Sequence, residues 1–348
     1  MESTHTGHPD RGLKPGVSAV VCCYNSAEII VPTIESLSRQ EVPPGIGYEV
    51  ILVDNNCTDN TVRLAKDTWR DIPYPLRIVK EKEPGLIYAR KTGVKNAEYD
   101  ILLFIDDDNI LNPDWVAKLY RLYGEMPDVG MIGGYNEALI QGDKPRWFDR
   151  YQFAYACGPR AKEPGLNPKK LFGAGLSFRT EAAKSVLFSD LPFFLVGRTG
   201  DILMRGEDTE MALRCRLMGW DSYYDSSLRL RHNLLPGRLT WNYLCRTRKG
   251  DGAASIILRM YRDLAENREL RSFSRLVRIV LEEWKTFFTK HKRYIFYIKT
   301  QGLDSSAFFY RLWGVTLGLF LYRKSYENIQ ASIMDYFSRN SKRAGDSF

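Results

Sequence analysis

The chain has 348 residues, of which 44% are apolar and 26% are charged, as in a globular protein with one large core or two smaller ones. It shows no repeat or low-complexity tract. Its six cysteines have no C-x-x-C spacing, which argues against a disulfide framework or a zinc site and fits a reducing cytosol. Residues 1–16 are polar and lack the apolar segment of a signal peptide, so we expect a flexible tail over residues 1–15.

The net charge of +8 is unevenly distributed. Residues 246–348 contain 20 Lys and Arg against 10 Asp and Glu, whereas the first 245 residues contain 30 against 32. The basic excess therefore belongs to the C-terminal third. We expect an anionic membrane surface as its partner; nucleic acid is the alternative that we favour less and do not predict.

The first half of the chain alternates apolar runs with helical patterns. Each apolar run ends in polar turn residues, and apolar side chains at helical spacing follow. Four alternations of strand and helix predict a right-handed βαβ arrangement with a sheet of the nucleotide-binding type. The predicted strands are 17–23, 48–53, 76–80 and the run ending at Asp106, and the predicted helices are 27–40, 60–69, 86–97 and 113–123.

The pattern loosens in the middle of the chain, where residues 135–172 are rich in Gly, Pro, Lys and aromatic side chains. Turn residues there are too frequent to predict long elements. The regular pattern reaches residues 129–134, and the remaining elements that we predict before the C-terminal third are helices at 180–187 and from Glu207 to Gly219 and a strand at 227–231.

From about Gly252 the sequence predicts basic amphipathic helices with aromatic faces. Residues 307–322 are the most hydrophobic window, but these 16 residues are fewer than the roughly 20 that span a bilayer. We expect this segment to be interfacial or buried, and packing on the preceding domain remains an open alternative. The predicted domain after the tail therefore covers residues 16–250, and a basic helical region that could associate with a membrane covers residues 251–348.

Three consecutive aspartates close the strand that ends at Asp106. Residues 99–110 read Y-D-I-L-L-F-I-D-D-D-N-I, and such an apolar run predicts a buried central strand. Ligands of open α/β sheets bind just beyond the carboxyl ends of the strands. Three crowded carboxylates at that edge favour a hard divalent cation shared with a substrate phosphate. A solvated acidic turn is the alternative for this motif taken alone.

Polar residues recur at the other strand ends, and together the motifs resemble those of a family 2 glycosyltransferase of the bacterial polysaccharide-biosynthesis type. The resemblance covers roughly residues 16–250. It implies an α/β fold of the GT-A type, in which a Rossmann-like nucleotide-binding sheet is joined to an acceptor half. The matching stretches, in family order, are V-V-C-C-Y-N-S-A, Y-E-V-I-L-V-D-N-N-C-T-D-N-T, G-L-I-Y-A-R-K-T-G-V-K-N-A, I-L-L-F-I-D-D-D, G-A-G-L-S-F-R, G-E-D-T-E-M-A-L-R-C-R-L-M-G and L-R-L-R-H-N-L-L-P-G-R-L-T.

The resemblance implies a site for a nucleotide sugar at the strand ends. Asp54 matches the residue that accepts a hydrogen bond from the base N3–H, which favours uracil or thymine; D-N-N-C-T-D is also turn chemistry, so a turn role stays open. Lys91 stands where the family commonly has asparagine, and a surface lysine is the alternative for this position. The residues that the resemblance assigns to the donor are Tyr24, Asn25, Asp54, Arg90, Asp106 and Asp107.

The resemblance also implies the catalytic and metal residues. Asp208 matches the general base of an inverting transfer, although G-E-D-T would also cap a helix without catalysis. Asp108 and His232 match the ligands of Mn²⁺ or Mg²⁺, the expected cofactor, although a lone histidine is often structural. Glu207 would orient the acceptor or the base.

Further residues would line the sugar and acceptor pocket, although core packing and loop chemistry explain them nearly as well. They are Trp147, Phe148, Gly173, Ala174 and Gly175. Arg198 and Gly200 lie in a stretch that often moves over the donor in this family, and Arg238 could reach the diphosphate.

The expected function is inverting transfer from a UDP-sugar to a glycan or lipid-linked acceptor, by a peripheral enzyme at the cytoplasmic face of the membrane. A nucleotidyltransferase that makes a nucleotide sugar is one alternative, but its glycine-rich loop is replaced here by C-C-Y-N-S-A. A binding module of the same fold without turnover is the other. It is disfavoured because the acidic residues for catalysis are present.

Overall fold

The computed structural model describes residues 12–168, 170–196, 205–290 and 300–340. Arg198 and Gly200, which we expected near the donor, lie outside the described residues. The first strand begins at Lys14, three residues before the predicted start.

The described strands form one mixed sheet in the order β3-β2-β1-β4-β8-β6-β9-β5, with β7 paired to β9. The pairs β1–β2, β1–β4 and β2–β3 are parallel, as the alternation of strands and helices predicts. The pairs β4–β8, β6–β8 and β5–β9 are antiparallel. The strands are β1 (Lys14–Cys23), β2 (Gly47–Asp54), β3 (Leu76–Lys80), β4 (Tyr99–Asp106), β5 (Asn109–Leu111), β6 (Val129–Ile140), β7 (Gly165–Leu166), β8 (Ser177–Arg179) and β9 (Asp221–Leu234).

Helices cover both faces of this sheet. On one face, side chains from α1, α2 and α4 pack on strand residues such as Val21 and Leu103. On the other face, α3, α6 and α7 pack on Val20 and Phe104. The helices are α1 (Ile30–Ser38), α2 (Thr61–Thr68), α3 (Leu86–Asn96), α4 (Trp115–Glu125), α5 (Phe148–Tyr151), α6 (Thr180–Leu187), α7 (Glu207–Leu217), α8 (Trp241–Ala265), α9 (Phe273–Lys290), α10 (Asp304–Tyr322) and α11 (Tyr326–Asn340), with 3-10 turns at Gln152–Tyr155 and Pro236–Leu239.

The structure corrects the sequence-based elements in the acceptor half. The regular pattern loosened after residue 134, but β6 continues to Ile140 because it pairs along its length with β9. Strand β9 itself runs from Asp221 to Leu234, well beyond the strand predicted at 227–231. The sequence did not predict β5, β7 and β8. These strands have three residues or fewer, too few for a periodic pattern to show.

The C-terminal helices pack against the rest of the chain through α8. This helix continues without a break across position 250, where we placed a domain boundary. On one side it contacts α7, and on the other it packs closely on α10, where Gly252, Gly314 and Gly318 face neighbouring backbone. No helix within the described ranges is long and apolar enough to cross a bilayer.

Candidate active site

The site is built on the edge where three parallel strands end. In the register of the sheet, Cys22 of β1 lies opposite Asp106 of β4, and Cys23 lies opposite Asp54 of β2. The strand order reverses at β1, so the loops after β1 and β4 diverge and leave a crevice. The apolar strands therefore bring the predicted donor residues to one edge of the sheet.

The ends of β1 and β2 form the first part of the site. The Asp54 carboxylate is mostly buried and accepts a hydrogen bond from the Cys57 amide at 2.8 Å. Asn25 has a positive φ of 51°, and its side-chain oxygen accepts from the Thr58 amide at 2.7 Å. Tyr24 is 65% exposed beside them. The turn role that we left open for Asp54 is present, and the same bond fixes the direction of the carboxylate at the strand end.

The aspartate triplet is held by backbone and side-chain hydrogen bonds rather than by solvent. Asp106 ends β4, and the Ser26 hydroxyl donates to Asp107. Asp108 is only 2% exposed and its carbonyl accepts from the Asn233 amide at 2.8 Å. The Asn109 amide group donates to Asp108 Oδ1 at 2.9 Å. Asp108 is therefore not a solvated turn residue.

His232 and Arg238 both contact Asp108. The pairing of β5 with β9 sets Asn109 opposite His232, which brings His232 Nε2 within 3.2 Å of Asp108 Oδ1. Arg238 Nη1 donates to Asp108 Oδ2 at 2.5 Å. We expected Arg238 to reach a diphosphate, and in this structure its guanidinium is paired with the third aspartate.

Burial and mutual repulsion separate the acidities of the three aspartates. Burial and the neighbouring Asp108 raise the pKa of Asp106, against the attraction of Arg90 and His232. The same two causes raise the pKa of Asp107 to about 7. Burial alone would raise the pKa of Asp108, but His232 and Arg238 outweigh it and lower this pKa. Asp108 therefore has the lowest pKa of the triplet and is the most readily ionised of the three.

Asp208 begins a second acidic group at the start of α7. The helix opens at Glu207, and the Thr209 amide donates to Asp208 Oδ1 at 2.7 Å. Burial would raise the pKa of Asp208, but Lys170, Arg90 and Arg205 together lower it. A base that must accept a proton at neutral pH has to be ionised beforehand, and this environment keeps the carboxylate ionised.

Glu207 has the opposite electrostatic environment. Burial and the adjacent Asp208 raise its pKa, and its Oε2 atom is buried without a hydrogen-bond partner among the described residues. Two adjacent carboxyl groups thus have pKa values shifted apart, a pattern common where one group acts as a base and the other as a hydrogen-bond donor.

Arg90 lies between the two acidic groups. It is 3% exposed on α3, and its guanidinium stacks over the Phe104 ring at 5.3 Å. Its charge lowers the pKa of Asp106 and also that of Asp208. The donor edge of the sheet and the start of α7 are therefore parts of one charged site.

The predicted sugar and acceptor residues occupy different places in this site. Gly173 lies against the catalytic candidate, since a Cβ at this position would be 2.7 Å from Asp208 Oδ2. The Ala174 carbonyl accepts from Asn136 at 3.2 Å, and Gly175 has a φ of 70° and packs on Trp115.

The aromatic candidates belong to a packed cluster. Trp147 is half-buried and stacks on Tyr155 at 6.4 Å, with Trp241 at its edge at 5.3 Å. Phe148 is 1% exposed in the same cluster. Packing therefore accounts for Phe148, whereas the half-buried ring of Trp147 keeps part of its surface open to solvent.

Sequence reasoning missed a buried network behind α7. Glu210 accepts hydrogen bonds from the backbone amides of Phe194 and Leu195 at 3.2 and 2.9 Å and pairs with Arg214 at 2.7 Å. Tyr261 of α8 donates to the same carboxylate at 2.9 Å. The network holds the chain just before residues 197–204. A glutamate and an arginine four residues apart in α7 were the available signal, but such pairs are usually exposed.

The residues at Asp108 suit a divalent cation only together with other ligands. Within the described part of the chain, no group of three or more His, Cys, Asp or Glu side chains could hold a metal ion. Asp108 and His232 supply a buried carboxylate and an imidazole, and oxygen-rich Mn²⁺ or Mg²⁺ sites commonly take further ligands from substrate phosphates. The pair fits such an ion once a diphosphate completes the coordination.

Comparison with known proteins identifies the family. Residues 18–187 match the model of glycosyl transferase family 2. The chain is 26% identical to glucosyl-dolichyl phosphate glucuronosyltransferase of Haloferax volcanii over 234 residues. The aligned region covers 66% of this chain and 72% of that relative. It is 22% identical over 248 residues to poly-beta-1,6-N-acetyl-D-glucosamine synthase of Staphylococcus epidermidis, covering 70% of this chain and 56% of the relative.

A solved structure shows the same fold. The match to S. aureus TarS residues 1–349 in complex with UDP-GlcNAc has a TM-score of 0.51 at 17% identity and covers 94% of this chain and 90% of that chain. The α/β fold of the GT-A type followed by C-terminal helices is therefore confirmed. The family that the strand-end motifs indicated is confirmed for residues 18–187, which make up just under half of the chain and match the model of glycosyl transferase family 2.

Proposed function

We propose that this protein transfers a sugar from a UDP-sugar to a hydroxyl of a glycan or lipid-linked acceptor, with inversion, in the synthesis of a surface polysaccharide or similar glycoconjugate. The observation that carries the proposal is that Asp106, on the donor side, and Asp208, at the start of α7, act electrostatically on each other and on Arg90, so that the two carboxyl groups belong to one site. The relatives support it, since one is named for glucuronosyl transfer to a glucosyl-dolichyl phosphate and another for making poly-N-acetylglucosamine.

The donor would bind along the strand ends. Asp54 is oriented by the Cys57 amide and would accept from the N3–H of uracil, beside the exposed ring of Tyr24. A carboxylate in this role does not distinguish uracil from thymine, so a thymidine nucleotide is the nearest competitor. The UDP-GlcNAc complex of the TarS structure supports the uridine nucleotide.

Asp208 would remove the proton from the acceptor hydroxyl as that oxygen attacks the anomeric carbon. The bond to the diphosphate breaks in the same displacement, and the configuration at the anomeric carbon inverts. Lys170 and Arg205 keep Asp208 ionised before the acceptor arrives. Gly173 leaves the space beside Oδ2 in which a hydroxyl could approach, since any larger residue would fill it.

Asp108 and His232 would hold Mn²⁺ or Mg²⁺ at the donor. Such an ion neutralises the charge that develops on the leaving diphosphate. Arg238 already supplies one positive charge at Asp108 and would share the diphosphate when the donor is bound.

The place of action in this proposal is the cytoplasmic face of a membrane, to which the basic C-terminal third would bind. The charge of that region supports it, with 20 Lys and Arg against 10 Asp and Glu over residues 246–348. Each cation near an anionic bilayer contributes about 1 kcal/mol to binding.

The test is a screen of nucleotide sugars for metal-dependent thermal stabilisation, followed by UDP release with the best donor. We expect stabilisation by one or a few UDP-sugars in Mn²⁺ or Mg²⁺ and loss of the effect with EDTA. If the affinity for the nucleotide sugar is unchanged in EDTA, donor binding does not require a metal ion. Retention of anomeric configuration, seen by NMR of the product, would remove the single displacement. Pyrophosphate release from a nucleoside triphosphate would indicate a nucleotidyltransferase instead.

A further inference from the structure

We propose that the outer face of α9 and α10 is a membrane-contact surface, and that the groove between these helices takes a hydrocarbon chain of an anionic bilayer lipid. The inference rests on the proposed function, because a lipid-linked acceptor would bring the enzyme to a bilayer. It adds which helices make the contact and what occupies the groove.

The groove lies between the first half of α9 and the second half of α10. Its volume of about 390 Å³ lies within the range of sites for small apolar ligands. The Trp284 indole N–H donates to the Thr316 hydroxyl at 2.8 Å, so the polar atom of this ring is already satisfied. The residues that define the groove are Val277, Leu281, Trp284, Leu319, Phe320 and Arg323.

The end of α9 and the start of α10 meet at one end of the helix pair. Phe287, near the end of α9, stacks on Phe308 at the start of α10 with 5.9 Å between ring centroids. Phe273, at the start of α9, instead contacts Tyr326 beyond the end of α10. The two helices are therefore antiparallel. The groove lies toward the opposite ends of the pair, where Phe273 and Arg323 line it.

The face of α10 opposite the groove packs on α8. Gly314 and Gly318 bring it against the backbone of α8, and Leu312 and Val315 are fully buried there. This packing confirms that residues 307–322 are buried on one side. It fixes which side of the helix pair is left to face outward.

The outward side carries large apolar residues. Leu281 is 63% exposed and Phe320 62%, at the rim of the groove. Trp313 is 50% exposed and Phe288 47% on the same pair of helices. A continuous exposed apolar face is unusual on a monomer and marks a contact surface. Aromatic rings in such a face suit the interface between water and lipid.

Charge argues for an anionic bilayer as the occupant. Exposed Arg278 and Lys285 lie one turn to either side of Leu281, and Arg323 and Lys324 lie one turn beyond Phe320. Glu282 is the exposed acid beside Leu281, and Glu283 pairs with Arg259 at 3.6 Å. Cations thus surround the apolar rim, as they do where a helix lies in the plane of anionic headgroups.

The test uses the full chain with vesicles of phosphatidylcholine alone or mixed with phosphatidylglycerol. We expect flotation with the mixed vesicles at low salt, and at least about tenfold weaker binding when Leu281 and Phe320 are both changed to Asp, because each change removes an apolar contact and adds repulsion. The matched control is Leu166→Asp, an equally exposed leucine on β7 at 58% exposure, which should bind like the wild type.

Fluorescence quenching tests whether the lipid chain lies in the groove. Phospholipids brominated along the acyl chain should quench tryptophan fluorescence, and the Trp284→Phe variant should lose much of that quenching, because Trp284 lines the groove. If quenching is unchanged in this variant, the lipid acyl chain does not occupy the groove.

The remaining outcomes are separable. Failure of the full chain to float, or equal flotation of the double variant, would overturn the proposal. If the wild type sediments as a dimer and the double variant as a monomer, the face binds a second copy of the chain rather than a membrane. Transfer to a soluble glycan without flotation would overturn this inference alone, whereas flotation without transfer from any nucleotide sugar would overturn the proposed function alone.

Discussion

The carboxyl edge of the sheet and the C-terminal helices place charged and apolar groups in opposite ways. At the sheet edge charge is buried, as in Asp108, which is 2% exposed and is paired with His232 and Arg238. In the C-terminal helices, by contrast, the apolar side chains of Leu281 and Phe320 face outward, and some ion pairs, such as Arg275–Glu269, are exposed.

This difference indicates two kinds of binding. Burying charge costs free energy, and proteins retain it where a charged ligand or a reaction needs a fixed field. Exposing apolar surface also costs free energy and is retained where that surface is covered in use. One region is therefore organised for a charged small molecule, and the other for an extended apolar partner.

The strongest test of the sheet edge removes the base without changing its size. We expect Asp208→Asn to lower kcat by about 10² or more while donor affinity stays within a few-fold, which is the usual contribution of a general base. Glu207→Gln is the matched control one residue earlier, and it should reduce kcat less because Glu207 is proposed to orient the acceptor or the base rather than to take the proton. Equal kcat for wild type and Asp208→Asn, with the acceptor present, would contradict the assignment.

The packing of the helices can be tested at one glycine. A methyl group at Gly314 would overlap the Lys249 carbonyl of α8, and we expect Gly314→Ala to lower the free energy of unfolding by about 1–3 kcal/mol through overpacking. Chemical denaturation would measure this value. Gly124→Ala in α4 is the control, because nothing lies within 4 Å of the new methyl group there. That change should leave stability unchanged or raise it slightly. An equal loss in both variants would mean that α8 and α10 are not closely packed.

Arg238 offers a test of the metal site that does not use activity. Its guanidinium lies 2.5 Å from Asp108, and removing a cation at that distance should strengthen Mn²⁺ binding to the nucleotide-free protein by about tenfold or more. We expect Arg238→Met to show this in an EPR titration. Arg231→Met makes the same charge change at an exposed residue of β9 and should have a much smaller effect. Unchanged or weaker Mn²⁺ binding in Arg238→Met would argue against Asp108 as a ligand.

The sheet edge could be predicted from the sequence because each strand and the polar residues at its end are adjacent in the chain. An apolar run that stops at Asp106 defines both a buried strand and its end, and the same holds for Asp54. The four parallel strands and the family followed from such runs. The roles of the individual site residues remain predictions, although the structure gathers several of them at one edge.

Contacts between distant segments could not be predicted in the same way. Strand β8 has three residues and exists because β4 and β6 pair on either side of it. Lys170 and Arg205 come near Asp208 only through the fold. In the C-terminal region the basic amphipathic pattern predicted helices. The buried side of α10, however, depends on Gly314 and Gly318, and in the sequence these glycines are only two residues of a hydrophobic window.

The smallest expected effect is a shift in the pH dependence of activity. The positive charge of Lys170 lowers the pKa of Asp208, so the base stays ionised to lower pH. Activity should fall as acidification protonates Asp208. Without the lysine this pKa rises, and the acid limb of the kcat/KM profile should move to higher pH, by about one unit or less.

Three profiles measured side by side would check this shift: wild type, Lys170→Met and Lys170→Arg. The arginine variant keeps the charge, and its acid limb should stay near that of the wild type. A limb that shifts equally in both variants would assign Lys170 a role in packing rather than in tuning Asp208. A limb that stays in place in Lys170→Met would mean that Arg90 and Arg205 alone keep the base ionised.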